Sequence, residues 1–225
     1  MKKIVTCFII IFLLNIIHLP VFAKENTLTI EQMKEINTFG NKIEYLLSQK
    51  KNSQACLLAY EMIQRYPNEP DAYFSYAKAS YHAGYSDRAI EYYKKCFKLD
   101  KTYHQAILNI GLVYYQQKEY TKAIKYYTKA IRITAKNNKY KKEDNALAYS
   151  NRALAKYYNR QLRSALKDYN KSLSIKNEYI GVDHIYYNRG LCKYDLGDKS
   201  GADDDYSTAK KINPKFKYIY YNKRI

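Results

Sequence analysis

The 225-residue chain holds 28 Tyr, no Trp, 7 Gly and 4 Pro, and sets 39 Lys and Arg against 21 Asp and Glu for a formal charge of +18. A chain that is 47% hydrophobic and 27% charged can bury enough apolar surface to offset the entropy of ordering, which excludes disorder for most of its length. So few Gly and Pro leave too few tight turns for a β-sandwich or barrel, and 4 Cys without a Gly period exclude disulfide-framework and collagen-like classes. An all-α protein is expected.

The first element is a leader. Lys2 and Lys3 precede an apolar run from Ile4 to Ile17, followed by Pro20 and the ending Val21-Phe22-Ala23. Residues 1–23 read as an export signal cleaved after Ala23. An uncleaved membrane anchor is the alternative, because residues 4–23 reach across a bilayer at about 1.5 Å per residue. The Lys, Asn, Ile and Tyr bias suggests a bacterium, so the exported chain is expected in the periplasm. Losing Lys2 and Lys3 with the leader lowers the charge from +18 to +16. Residues 24–28 then form a tether, and Thr29-Ile30-Glu31-Gln32 has the spacing of a capping box that starts a helix near Ile30.

From there the chain repeats. Ala55, Ala89, Ala123, Ala165 and Ala202 recur in similar surroundings at spacings of 34, 34, 42 and 37 residues. Removing inserts at 138–145 and 180–182 restores a 34-residue unit, at 36–69, 70–103, 104–137, 146–179 and 183–216, with a partial capping helix at 217–225. Each unit carries two helical patterns separated by a short polar turn, such as Ala83-Gly84-Tyr85-Ser86-Asp87, so it is a helical hairpin. The eighth position holds Ala77, Gly111, Ala153 and Gly190, small residues that let two helices approach closely. Tyr93, Tyr127, Tyr169 and Tyr206 at the 24th position fill the space around that contact. Ile43 replaces the small residue in the first unit, which is expected to pack more loosely. The insert at 138–145 is expected to be a solvated loop or an extension of the preceding helix.

These residues resemble the tetratricopeptide repeat family. The fullest copy runs Tyr187-Asn188-Arg189-Gly190-Leu191-Cys192-Lys193-Tyr194-Asp195-Leu196-Gly197-Asp198 and closes with Ile212-Asn213-Pro214; Tyr149 to Ala153 and Ile107 to Gly111 repeat its opening. No Trp stands at the fourth position, and the closing Pro survives only as Pro67 and Pro214. The resemblance implies a right-handed solenoid of stacked helix-turn-helix hairpins. It also implies a concave groove lined by the second, fifth, sixth, ninth and twelfth positions of each first helix.

The fifth, ninth and twelfth positions form one helical stripe. Here that stripe is Phe74, Lys78 and Tyr81; Leu108, Leu112 and Tyr115; Ser150, Leu154 and Tyr157; then Tyr187, Leu191 and Tyr194. Asn109, Asn151, Asn188 and Asn222 stand at the sixth position. An Asn amide can pair with the C=O and N–H of an extended peptide, and Leu and Tyr supply side-chain pockets. The expected site is therefore Tyr81, Tyr115, Tyr157 and Tyr194 as anchors, Asn109, Asn151 and Asn188 as backbone clamps, and Leu112, Leu154 and Leu191 as apolar wall. The same Asn and Tyr are common in the family, so a mainly structural ladder is the alternative. The carboxylate-binding version found in chaperone-docking members is not expected. Leu108, Leu112, Leu147 and His184 occupy places where it needs Lys, Asn and Arg.

The second helices and connections carry Lys94, Lys95, Lys98, Lys122, Lys125, Lys129, Arg132, Arg163, Lys167, Lys171, Lys210 and Lys211, a basic outer face. Such a face solubilises the chain, or binds polyanions or membrane surfaces through salt-sensitive forces; no nucleic-acid partner is expected. Asp203, Asp204 and Asp205 lack the order of a calcium loop and read as helix surface. Cys56, Cys96 and Cys192 are expected to be buried small hydrophobes. Asn170-Lys171-Ser172 falls mid-helix as a chance glycosylation match. With no His-Glu-x-x-His, no Cys-x-x-Cys and no phosphate loop, the expectation is a non-enzymatic scaffold for a protein or peptide, without metal, cofactor or small-molecule substrate.

Overall fold

The computed structural model describes residues 28–136, 142–175 and 181–215. The leader, residues 24–27 of the tether, part of each insert and the capping segment with Asn222 lie outside them. Contacts group the chain into two units, residues 1–37 and 38–225.

In the first unit the described residues are the start of α1 (Ile30–Ser48). The Thr29 N–H donates to Gln32 Oε1 at 2.9 Å and the Gln32 N–H donates to Thr29 Oγ1 at 3.1 Å, so the capping box read from the sequence is made in both directions.

The second unit continues α1 and adds α2 (Asn52–Arg65), α3 (Pro70–His82), α4 (Ser86–Leu99), α5 (His104–Gln116), α6 (Tyr120–Ala135), α7 (Lys142–Tyr158), α8 (Leu162–Ser174), α9 (Val182–Asp195) and α10 (Lys199–Ile212). No strand occurs among the described residues. Helices α3 and α4, α5 and α6, α7 and α8, and α9 and α10 pack as hairpins, while α4 packs on α5, α6 on α7 and α8 on α9. Neighbouring first helices also touch directly, α5 with α7 and α7 with α9, and so form one layer. This is a solenoid in which each hairpin is completed by the next.

Every first helix ends in the same way. The residue at the fifteenth position is left-handed in all five copies: Lys50, Gly84, Lys118, Arg160 and Gly197, with φ of 56°, 87°, 61°, 60° and 91°. Its N–H and the next one reach back to the helix carbonyls, as in Gly84 to Tyr81 at 3.0 Å and Tyr85 to Ser80 at 2.9 Å, the Schellman pattern. The polar turn in each unit is thus a helix stop that reverses the chain.

The small eighth position meets the aromatic 24th. A Cβ added to Gly111 would lie 2.6 Å from the Tyr127 ring, and one added to Gly190 would lie 2.8 Å from Tyr206. The first unit reverses the sizes: Ile43 is fully buried and the 24th position is the fully buried Ala59.

Helix α6 stops at Ala135, so the insert does not extend it; residues 142–145 of the insert form the first turn of α7, and residues 138–141 lie outside the described residues.

The slot formed by the seventh, eleventh and 23rd positions has two fillings. In the second and third units it is aromatic, with Tyr76 edge-on to Tyr92 at 4.5 Å and Tyr114 stacked on Tyr126 at 5.4 Å. In the fourth and fifth it is ionic. The Arg152 Nε and Nη2 both donate to the Asp168 carboxylate at 2.7 Å, and Lys156 Nζ joins at 2.7 Å. Arg189 and Lys193 treat Asp205 the same way, the guanidinium at 2.8 and 2.6 Å and the ammonium at 3.1 Å. Asp205 is therefore a buried ion-pair centre and not helix surface, while Asp203 and Asp204 are exposed. Each Arg also reaches the preceding hairpin, Arg152 Nη1 to Thr128 Oγ1 at 3.2 Å and Arg189 Nη1 to Asn170 Oδ1 at 2.9 Å. One side chain thereby ties three helices together.

Candidate functional site

Because the first helices form a layer, the stripes read from the sequence fall side by side, and the structure places each residue. In the second unit Lys78 Nζ donates to both Glu44 carboxylate oxygens at 2.6 and 2.7 Å. Phe74 packs its ring against Tyr93 and Tyr103 at 5.4 and 5.1 Å, and Tyr103 donates to Asp71 at 2.6 Å. Tyr81 is half-buried; burial raises its hydroxyl pKa, and a hydrogen bond with Gln116 partly offsets the shift. This end of the stripe is neutralised and largely engaged with itself.

In the third unit Leu108 and Leu112 are half-buried. Asn109 is half-buried; burial pushes the Tyr93 phenol far above its ordinary range, a shift that the neighbouring Asn109 side chain partly opposes. Tyr115 joins Tyr120 and Tyr158 in a cluster with ring centroids 5.6 to 5.9 Å apart. Burial, then the neighbouring Tyr158 and Tyr120, holds its hydroxyl protonated. Tyr157 stands edge-on to Tyr158 at 5.3 Å and donates to Asp195 Oδ2 at 2.6 Å, linking the fourth and fifth hairpins. In the last unit Leu191 and Tyr187 are buried with Ala202, Tyr206 and Ala209, and Tyr194 packs against that cluster. Leu191 thus lies beneath the surface and not on it.

An open cleft remains between α7 and α9. Its volume is about 320 Å³, and it is lined by Leu147, Ser150, Asn151, Leu154, Tyr169, Gly181, His184, Ile185 and Asn188. Of the site residues expected from sequence it brings together Asn151, Leu154 and Asn188. Gly181, with φ of 103°, caps α9 and sets the entry of that helix. Tyr169 was expected only as packing. It is 1% exposed, and among the described lining residues it is the one that comes from a second helix. Among the described residues that line the cleft there is no Lys, Arg, Asp or Glu.

The remaining residues singled out from sequence fall outside the groove. All but one of the named basic residues on the second helices are exposed; Lys95 is half-exposed and lies 4.1 Å from the Tyr92 ring centroid. Cys96 and Cys192 are buried, with thiols pushed by burial up to about 12 and about 11, and Cys192 donates to the Leu162 carbonyl at 3.2 Å. Cys56 is half-exposed and not buried as expected. No described helix is long and apolar enough to cross a membrane.

Hairpin repeats of this length, with small eighth and aromatic 24th positions, define a class of helical-repeat scaffold. Family profiles described as tetratricopeptide repeat match residues 103–178 and, as single copies, 70–103 and 183–216. The chain belongs to the tetratricopeptide repeat family. No curated protein matches it. Solved structures similar to it include MamA from Desulfovibrio magneticus RS-1, at 17% identity and a TM-score of 0.63 over 80% of this chain and 95% of that one. Pseudomonas aeruginosa pilF is 17% identical with a TM-score of 0.67 over 78% and 77%. YrrB, described as a TPR protein with an unusual peptide-binding site, is 14% identical with a TM-score of 0.60 over 83% and 91%. At these identities the likeness is one of fold.

Proposed function

We propose that the chain is a protein-interaction scaffold that holds an extended peptide along its first-helix layer, in the groove centred on the cleft between α7 and α9. The observation that carries this reading is the cleft: Asn151 and Asn188 line it on consecutive first helices, with Leu147, Leu154 and Ile185 between them. Two amides one hairpin apart offer donors and acceptors to a peptide backbone, and the aliphatic wall receives side chains. Tetratricopeptide-repeat proteins are in general non-enzymatic scaffolds, and the peptide-binding site in the description of YrrB agrees with this use of the fold. The rival is a polyanion or membrane-surface binder that uses the exposed Lys and Arg of the second helices.

Partner capture with identification separates the two. Asn151→Ala with Leu154→Ala is expected to abolish it, and Lys122→Glu with Lys125→Glu to leave it intact. Capture through the groove is also expected to persist at about 0.5 M salt, where charges on the outer face are screened beyond a few ångströms. The opposite pattern on both counts overturns the groove. We infer further that the chain is exported to the periplasm and cleaved after Ala23; a mature N-terminus starting before Lys24 contradicts this.

A further inference from the structure

The outer face changes character at its first hairpin. Between the second and third hairpins it holds an open cleft of about 370 Å³, whose lining includes Asp87, Glu91 and Lys94 of α4, then Glu119 and Lys122 where α6 begins. One repeat earlier, 34 residues back in each case, stand Ser53, Leu57, Tyr60, Tyr85 and Arg88. Only the last keeps its charge, and three of the replacements are exposed: Leu57 at 72%, Tyr85 at 53% and Tyr60 at 48%. At the position of Leu57 every later unit is charged, with Glu91, Lys125, Lys167 and Asp204. Leu57 and the two tyrosines together expose on the order of 300 Å², the size of apolar patch that is often functional.

These side chains border a valley between α2 and α4. Tyr60 on α2 lies 5.9 Å from the Tyr76 ring, and Tyr76 lies 4.5 Å from Tyr92 on α4, so three rings join the two second helices. The Asn52 amide donates to the His82 carbonyl at 2.7 Å and holds the start of α2 against the turn that carries Tyr85. Two flanking helices leave a groove that a third helix can fill with one apolar stripe. Charge then selects the flanks of that helix. The Arg88 guanidinium lies 4.6 Å from the Tyr85 ring centroid and is joined to no carboxylate among the described residues. Lys50 and Lys51, just before α2, are exposed, while Glu61, the one acid of α2, is bonded to Arg65 at 2.8 Å. A positive rim in a chain of +18 favours an acidic partner, and a second copy would set its own positive rim against this one. We propose that the valley between α2 and α4 docks an amphipathic helix of a protein partner, its apolar stripe against Leu57, Tyr60 and Tyr85 and its acidic flank beside Arg88. This surface is separate from the α7–α9 groove and does not rest on it.

Fluorescence anisotropy on the folded chain tests it, with labelled helical peptides of about 18 residues, or five turns. One carries a Leu stripe flanked by Glu, one the same stripe flanked by Lys, and one the Leu and Glu in scrambled order. The striped Leu/Glu peptide is expected to bind, and the other two to bind at least about tenfold more weakly. Leu57→Glu is expected to weaken the striped peptide about tenfold or more with the thermal midpoint unchanged, since Glu91 shows that the repeat accepts Glu at that position. Arg88→Glu is expected to remove the preference for Glu over Lys flanks, and Asn151→Ala with Leu154→Ala to change nothing. No binding of the striped peptide, equal binding of the scrambled or Lys peptide, or indifference to Leu57→Glu overturns the proposal. Two other occupants have their own readouts: a concentration-dependent dimer in sedimentation velocity, or binding to phosphatidylglycerol vesicles. Either one, if abolished by Leu57→Glu, assigns the valley to a second copy or to a lipid surface and overturns the helix.

Discussion

Arg160 shows how much of this chain is decided by one backbone angle. Its φ of 60° is shared by Lys50 and Lys118 at the same repeat position, while Gly84 and Gly197 adopt that region without a Cβ. Left-handed backbone costs an ordinary residue about 1–2 kcal/mol, and a glycine loses about 0.5–1 kcal/mol more entropy on folding. Arg160→Gly is therefore expected to stabilise the fold by about 0.5–1 kcal/mol, and Gly84→Ala to destabilise it by about 1 kcal/mol, read from urea unfolding midpoints. Nothing lies within 4 Å of a Cβ built on Gly84, so that cost is backbone alone. The thiols give a second expectation. Burial holds Cys96 up to about 12 and Cys192 up to about 11 from an ordinary 9.0, so both are neutral and poor nucleophiles at pH 8. Disulfide reagents at that pH are expected to label half-exposed Cys56 first, and the other two only on unfolding. Since both folded-state values are raised, the stability these thiols contribute is complete below pH 9.0 and is lost as pH rises through about 11 and about 12.

At the scale of the hairpin, sequence and structure agree where the signal is local and part where it spans helices. The repeat period, the small-to-aromatic pairing of Gly111 with Tyr127 and the capping box at Thr29 were legible, because each depends on residue size or polarity at a fixed spacing. Ile43 was read without Ala59, the small residue at the 24th position of the same repeat. Asp205 was misread for the same reason: its partners Arg189 and Lys193 sit on α9, sixteen and twelve residues earlier, and only the parallel triad of Arg152, Lys156 and Asp168 reveals the pattern. Asp205→Ala leaves two partly buried cations without a counter-ion and is expected to cost about 3–5 kcal/mol in urea unfolding. Exposed Asp203→Ala is expected to change stability by less than about 0.5 kcal/mol. Equal effects would mean that the triad is not what ties the last hairpins together.

Over the whole chain, the excess of Tyr and of positive charge separates into different parts. Tyrosines fill the hairpin interiors at the 24th position and the aromatic slot of the second and third units, whereas most of the named Lys and Arg on the second helices face solvent. The candidate site was only half legible. Asn151, Leu154 and Asn188 line one cleft because groove positions follow helical periodicity. Leu191 proved buried, and Tyr169, read only as packing, also borders the cleft, since which side chains border a gap depends on the spacing between neighbouring hairpins and not on residue order. The central claim is that partners lie against the first-helix layer at the α7–α9 cleft. Site-specific photo-crosslinking tests it most directly, with a benzophenone side chain placed at Leu154 or, on the outer face, at Lys125. The account predicts that an identified protein partner is trapped from position 154 and not from 125; trapping from 125 alone would contradict it.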